Sequence, residues 1–113
     1  MNSEIKQILS NLVVENKTVD VSHLRYKGEK KTFVVWAIID EEPALCGNDT
    51  DIFSIVTIDI NIYSDRNYSS IMREINRRFT NAGWVWRENS AEMYEEDTQL
   101  YHRVMTFEKE KEL

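Results

Sequence analysis

The stretch from Asp51 to Ser64, DIFSIVTIDINIYS, constrains the fold of this chain more than any other. Ile52, Val56, Ile58, Ile60 and Ile62 share one parity, and Phe53, Ile55, Thr57, Asp59, Asn61 and Tyr63 share the other. A period of two with β-branched residues at most positions specifies a long strand with one aliphatic face. Burying that face contributes on the order of 10 kcal/mol before conformational entropy is set against it. The strand is therefore expected at the centre of its sheet.

Around it the chain reads as helix, two strands, the central strand, helix and two strands. Ser3 caps a helix expected over Glu4 to Val14, with Ile5, Ile8, Leu9 and Leu12 on one stripe. Val19, Val21 and Leu24 alternate into a short strand ending near Gly28. Thr32 to Ile39, TFVVWAII, is continuously β-branched and aromatic, which predicts a strand buried on both faces and paired with the central one. Asp40 to Asp51 holds Pro43, Gly47, Asn48 and Asp49 and is too long for a tight turn, so a long loop or an extended hairpin tip, projecting from the domain, is expected there.

Tyr68, Ile71, Met72, Ile75, Phe79 and Ala82 form the best helical stripe in the chain, and Gly83 is its expected left-handed stop. Trp84-Val85-Trp86 opens a further strand. Glu92 to Asp97 reads as an acidic connector, 100–107 as the last strand, and 108–113 as a charged, frayed tail. The order α-β-β-β-α-β-β predicts a single α+β domain over residues 1–113. It has two layers, a mostly antiparallel sheet of about five strands with both helices packed on it, and one parallel pair allowed by the crossover at 64–84.

The chemistry-bearing residues are few. The chain has one cysteine, Cys46, with no neighbouring base, and two histidines. His102 follows Glu95, Glu96 and Asp97, but no second ligand stands at metal-binding spacing, and it reads as a surface histidine beside a solvated acidic loop. His23 reads as structural or exposed. Asn48, Asp49 and Asp51 resemble the start of a calcium loop, yet Ile60 stands where the closing Glu belongs. No enzymatic activity, metal or cofactor is expected.

The 20 acids and 14 bases give a net charge of −6, which disfavours tight or sequence-specific nucleic-acid binding while leaving a surface along which DNA could pass. The longest apolar run, Phe33 to Ile39, is far below the ~20 residues of a membrane span. The polar start NSEIKQ shows no signal-peptide pattern, and a reducing cytoplasm is the expected setting. Trp84 and Trp86 are expected to pack under the second helix, with a protein interface as the alternative.

VTIDINIYSDRNYSSIMREINRRFTNAGW and EMYEEDTQLYHRVMTFE carry a D-x-x-x-Y-S strand end, a helix closing on A-G-W, and a Y-E-x-D-T-x-L-Y-H stretch. With TFVVWAIIDEEP, they resemble the tail-completion or tail-terminator proteins that join tail to head in long-tailed bacteriophages and prophages, over about Tyr26 to Phe107. The resemblance implies an α+β subunit forming a hexameric ring on the last tail-tube ring, with the major tail protein and a head neck protein as partners. It implies no cofactor, and a place in the host cytoplasm during assembly and then in the virion tail or neck. Tyr94, Glu95, Asp97, Tyr101 and His102 match its pattern and are expected to fix their loop by hydrogen bonds. Glu41, Glu42, Asp49 and Asp51 are the residues expected to face a neighbouring subunit or the ring lumen. The alternatives are a head-completion or stopper protein and a monomeric protein- or peptide-binding domain with a groove near Trp84 and Trp86.

Overall fold

The computed structural model describes residues 2–44 and 53–112. Helix α1 (Asn2–Ile8) leads into a small hairpin, β1 (Val13–Val14) with β2 (Lys17–Thr18). The main sheet follows as β3 (Asp20–His23), β4 (Phe33–Ala44), β5 (Phe53–Ser64), α2 (Ser69–Asn81), β6 (Val85–Asn89), β7 (Met93–Glu95) and β8 (Leu100–Glu112). Its order is β3-β4-β5-β8-β6, with β7 also pairing β8. The fold is α+β with two layers, and β5 is central between β4 and β8 as its alternation requires.

On β5 the even positions are buried throughout, from Ser54 to Ser64, and the odd positions are half-buried. Both helices pack on the even face. Ile5 from α1, Leu9 just past its end, and Ile71, Ile75 and Phe79 from α2 close on Ile58, Ile60, Ile62, Trp36, Met105 and Phe107. Gly83 takes φ 94, the left-handed geometry predicted at the end of α2.

The structure corrects several expectations. Helix α1 stops at Ile8 rather than Val14, because Asn11, Glu15 and Asn16 adopt positive φ and turn the chain into the hairpin. Leu9 and Leu12 are nonetheless in the core, so their spacing marked burial rather than helix. The parallel pair is β3 with β4, since β8 inserts between β5 and β6. Strand β4 is buried on both faces only over Val34–Trp36, for Ile39 is 53% exposed, and it runs on past a bulge between Ile38 and Asp40 to Ala44. Of the long loop and the extended hairpin tip expected at 40–51, the second fits the described part, which is strand paired with β5 as far as Ala44; Asp49 and Asp51 lie outside the described residues. The acidic connector contains β7, which forms a hairpin with β8. The expected tail at 108–113 is strand through Glu112, paired with β5 as far as Phe53.

Candidate functional site

The helical layer covers only part of the sheet. Lys109, opposite Val56, donates from Nζ to the carbonyl of Ala82 at 2.9 Å, and this contact marks where the end of α2 meets the strands. Beyond it β4, β5 and β8 continue as a three-stranded arm. β3 pairs β4 only over Phe33–Trp36 and β6 pairs β8 only over Met105–Glu108, so both outer edges of the arm are bare among the described residues.

The bulge at Ile38/Asp40 sets which acids point where. Before it the even residues of β4 face the helices; after it Glu41 stands opposite Val56 on that face, and Glu42 opposite Ile55 on the other. Glu41 accepts from Ser54 Oγ at 3.3 Å and lies 3.6 Å from Lys111 Nζ. Asp40, Glu42 and Glu110 are exposed on the open face, and no base lies within ion-pair distance of them among the described residues. The two predicted residues that are described thus differ in role: Glu41 ties strands together, and Glu42 is free.

At the opposite end the same open face is packed. Tyr26, Phe33, Tyr63 and His102 stack in a row across the loop after β3 and strands β4, β5 and β8, with ring centroids 4.0, 4.9 and 4.1 Å apart. Asn61 and the ring of His102 meet at 2.9 Å through Oδ1 and Nε2, and Glu95 lies 3.6 Å from Nδ1. The His102 side chain is only 14% exposed, so it is not the surface histidine the sequence suggested. Burial holds its pKa below the usual imidazole value, partly offset by the Glu95 carboxylate. A Cβ at Gly28 would collide with the Tyr26 ring and its hydroxyl, so a side chain there would displace Tyr26 from the row.

The hairpin β7–β8 brings the family-pattern residues together, with Asp97 apart from the rest. Tyr94 packs edge-on against Tyr101 at 5.1 Å, Glu95 sits beside His102, and the Gln99 amide donates to the Glu95 carbonyl at 2.8 Å. Asp97 is exposed on the turn between the strands. No protein-family model matches this chain, and no curated protein does either.

Two further clusters were not legible in the sequence. Arg78 donates to the carbonyls of Ile8 at 3.0 Å, Ser10 at 2.7 Å and Asn11 at 3.0 Å, closing the C-terminus of α1 against α2. Glu74 receives Arg77 and Arg78, and these bonds hold its carboxyl at about 2. Glu4 accepts from Lys109 at 2.7 Å and from Trp84 Nε1 at 3.1 Å. Burial raises its pKa, but the two bonds together outweigh that and lower it. Trp84 is buried at 2% exposure, packed edge-on against Phe79, while Trp86 lies half-exposed over Phe107. The tryptophans therefore do not line a common groove. Among the described residues no three of His, Cys, Asp and Glu are grouped to hold a metal ion, and no helix is long and apolar enough to cross a membrane.

Proposed function

We propose that this chain is a structural assembly protein of a long-tailed bacteriophage or prophage. Its subunits form a ring, hexameric by the resemblance, at the head-proximal end of the tail tube, where they terminate the tube and join it to the head. The observation that carries the reading is the arm. Among the described residues, three strands extend beyond the helical layer with bare edges, unpaired acids and the exposed Ile39, an arrangement suited to packing against neighbouring subunits.

The test is to polymerise a major tail protein from the same phage or prophage with and without this chain, and to examine the tubes by electron microscopy. Tubes of fixed length capped by a ring at one end are the expected result. Tubes that stay uncapped and unregulated overturn the terminator role. Binding to the head neck protein instead would assign the chain to head completion.

A further inference from the structure

Strand β3 ends early and leaves the edge of its neighbour vacant. Its last residue, His23, stands beside Trp36, and the Leu24 amide still donates to the Trp36 carbonyl at 2.9 Å. Leu24 then takes φ 72, a left-handed geometry that a bulky side chain adopts at a cost, and β3 pairs no further along β4. From Ala37 onward the outer edge of β4 has no partner strand among the described residues. Leu24, 67% exposed, stands at the start of this vacancy, and the half-exposed Ile39 lies within it.

The bulge gives the vacant length a pattern that reads the same in both directions. Ala37 and Glu42 are on the open face, opposite Asp59 and Ile55, and Ile38 and Glu41 are on the helical face, opposite Ile58 and Val56. Run antiparallel against itself, the length sets Ala37 against Glu42 and Ile38 against Glu41, each pair on one face as a ladder requires. A regular strand cannot do this about a point between two residues, because its opposed side chains would fall on opposite faces. Six residues in each strand is an ordinary ladder length.

Charge is distributed along the edge in the same sense. At the Ala37 end the loop 24–31 carries Arg25, Lys27, Lys30 and Lys31 against Glu29, and Asp20 takes Lys30 at 3.1 Å. That leaves bases in excess even with both acids counted. Arg25 and Lys27 are exposed, with no carboxylate within ion-pair distance among the described residues. At the other end stands Glu42, exposed and without a base.

We propose that the vacant edge of β4 pairs with the same edge of a second copy of the chain, antiparallel about a two-fold axis between Ile39 and Asp40. Each Glu42 then arrives beside Ala37 of the other copy, next to the loop that holds Arg25 and Lys27, and the match is made twice because the contact is reciprocal. Ile39 is covered at the centre. The two Asp40 carboxylates approach each other near the axis and oppose the contact. Acids and a bulge blunt an edge against strands in general, so this edge selects a partner that brings bases to the right end. The inference goes beyond the tail reading and does not rest on it.

Charge reversal tests it. One variant carries Arg25→Glu with Lys27→Glu, the other Glu42→Lys; all three side chains are exposed, and circular dichroism checks that each variant folds. Self-association is followed by sedimentation velocity from about 1 μM to about 1 mM, a range that brackets weak single contacts. The parent should form a dimer as its first associated species, and each variant alone should dimerise at least about tenfold more weakly. An equimolar mixture of the two should recover a dimer, because both ends of the mixed pair then join opposite charges. Asp40→Asn should dimerise about threefold more tightly than the parent, since it removes the repulsion at the axis. A parent that stays monomeric throughout, a first species larger than a dimer, reversals that associate like the parent, a mixture with no recovery, or Asp40→Asn that weakens the dimer each overturn the proposal.

Tube capping separates this inference from the function. Reversal variants that no longer dimerise and still cap tubes would leave the tail role standing. A parental dimer with uncapped tubes would leave the contact standing and remove the role.

Discussion

The two lengths of β5 obey the same alternation and live in different surroundings. From Ile58 to Ile62 the even side chains meet two helices and are fully buried. From Phe53 to Ile55, past the Lys109–Ala82 contact, the strand keeps its hydrogen-bonded neighbours β4 and β8, and its flanking residues are Glu42, Glu110 and Glu112 with Lys111 among them. A sheet is held by its ladder of backbone bonds, whereas a core is held by what covers it. The difference predicts that the covered length determines the stability of the monomer and that the arm adds little to it.

Ile60→Ala is the strongest way to break that comparison. Removing a fully buried branched side chain beneath both helices should cost ~2 to 5 kcal/mol in chemical denaturation. Ile55→Ala, on the half-buried face of the arm, should cost less than ~1 kcal/mol. Equal losses at the two positions would mean that the arm belongs to the cooperative core. Next in size is Arg78→Met, which leaves three carbonyls at the end of α1 without their donor. It should cost ~2 kcal/mol, and Arg78→Lys should recover only part of it, because one ammonium cannot reproduce the planar fork.

The pH dependence separates the open face of the sheet from the helical layer. Buried His102 has a folded pKa below its unfolded 6.5, so the unfolded chain takes up the proton first. Stability is then full above that value and falls as the pH drops through 6.5 toward the folded value. Glu74 acts lower: its folded carboxyl sits at about 2 against an ordinary 4.5, so its contribution is intact above 4.5 and is lost only as the pH falls toward 2. His102→Phe keeps an aromatic ring in the row and removes the proton. Its stability should be flat between about pH 7 and about pH 5, where the parent declines, as read from urea midpoints at each pH.

How far these features were legible follows from the range of the forces involved. The alternation of β5, the stripe of α2 and the stop at Gly83 are local signals, and they located the central strand, the second helix and the two-layer arrangement. The length of α1 was misjudged because Leu9 and Leu12 keep helical spacing while their backbone turns away. The residues of the arm, DEEPA and EKEKE, are poor strand formers by propensity, which left DEEPA readable as loop or hairpin tip and EKEKE as a frayed tail; pairing with β5 overrides that preference. The stacked row joins Tyr26, Phe33, Tyr63 and His102 through register alone, and no local pattern announces it. A period of two did place Tyr63 away from the aliphatic face, which was the available clue. Arg78 and Glu4 act across most of the chain length, on carbonyls and rings that only the tertiary structure brings near.

Ile39 gives the smallest effect and the sharpest discrimination. It sits at the bulge, 53% exposed, where the side-chain parity of β4 reverses at the root of the arm. Ile39→Ser removes little apolar area from a folded monomer, so the stability of the isolated subunit should stay within ~0.5 kcal/mol of the parent. If the arm works by seating against a neighbour, the same change should weaken ring formation and tube capping out of proportion to that figure, because an exposed apolar side chain is dried only in the assembly. Parental capping with Ile39→Ser would place the subunit contact away from the root of the arm. A stability loss as large as that of Ile60→Ala would mean that the root of the arm is part of the monomer's core, and the contrast between the two lengths of β5 would not hold.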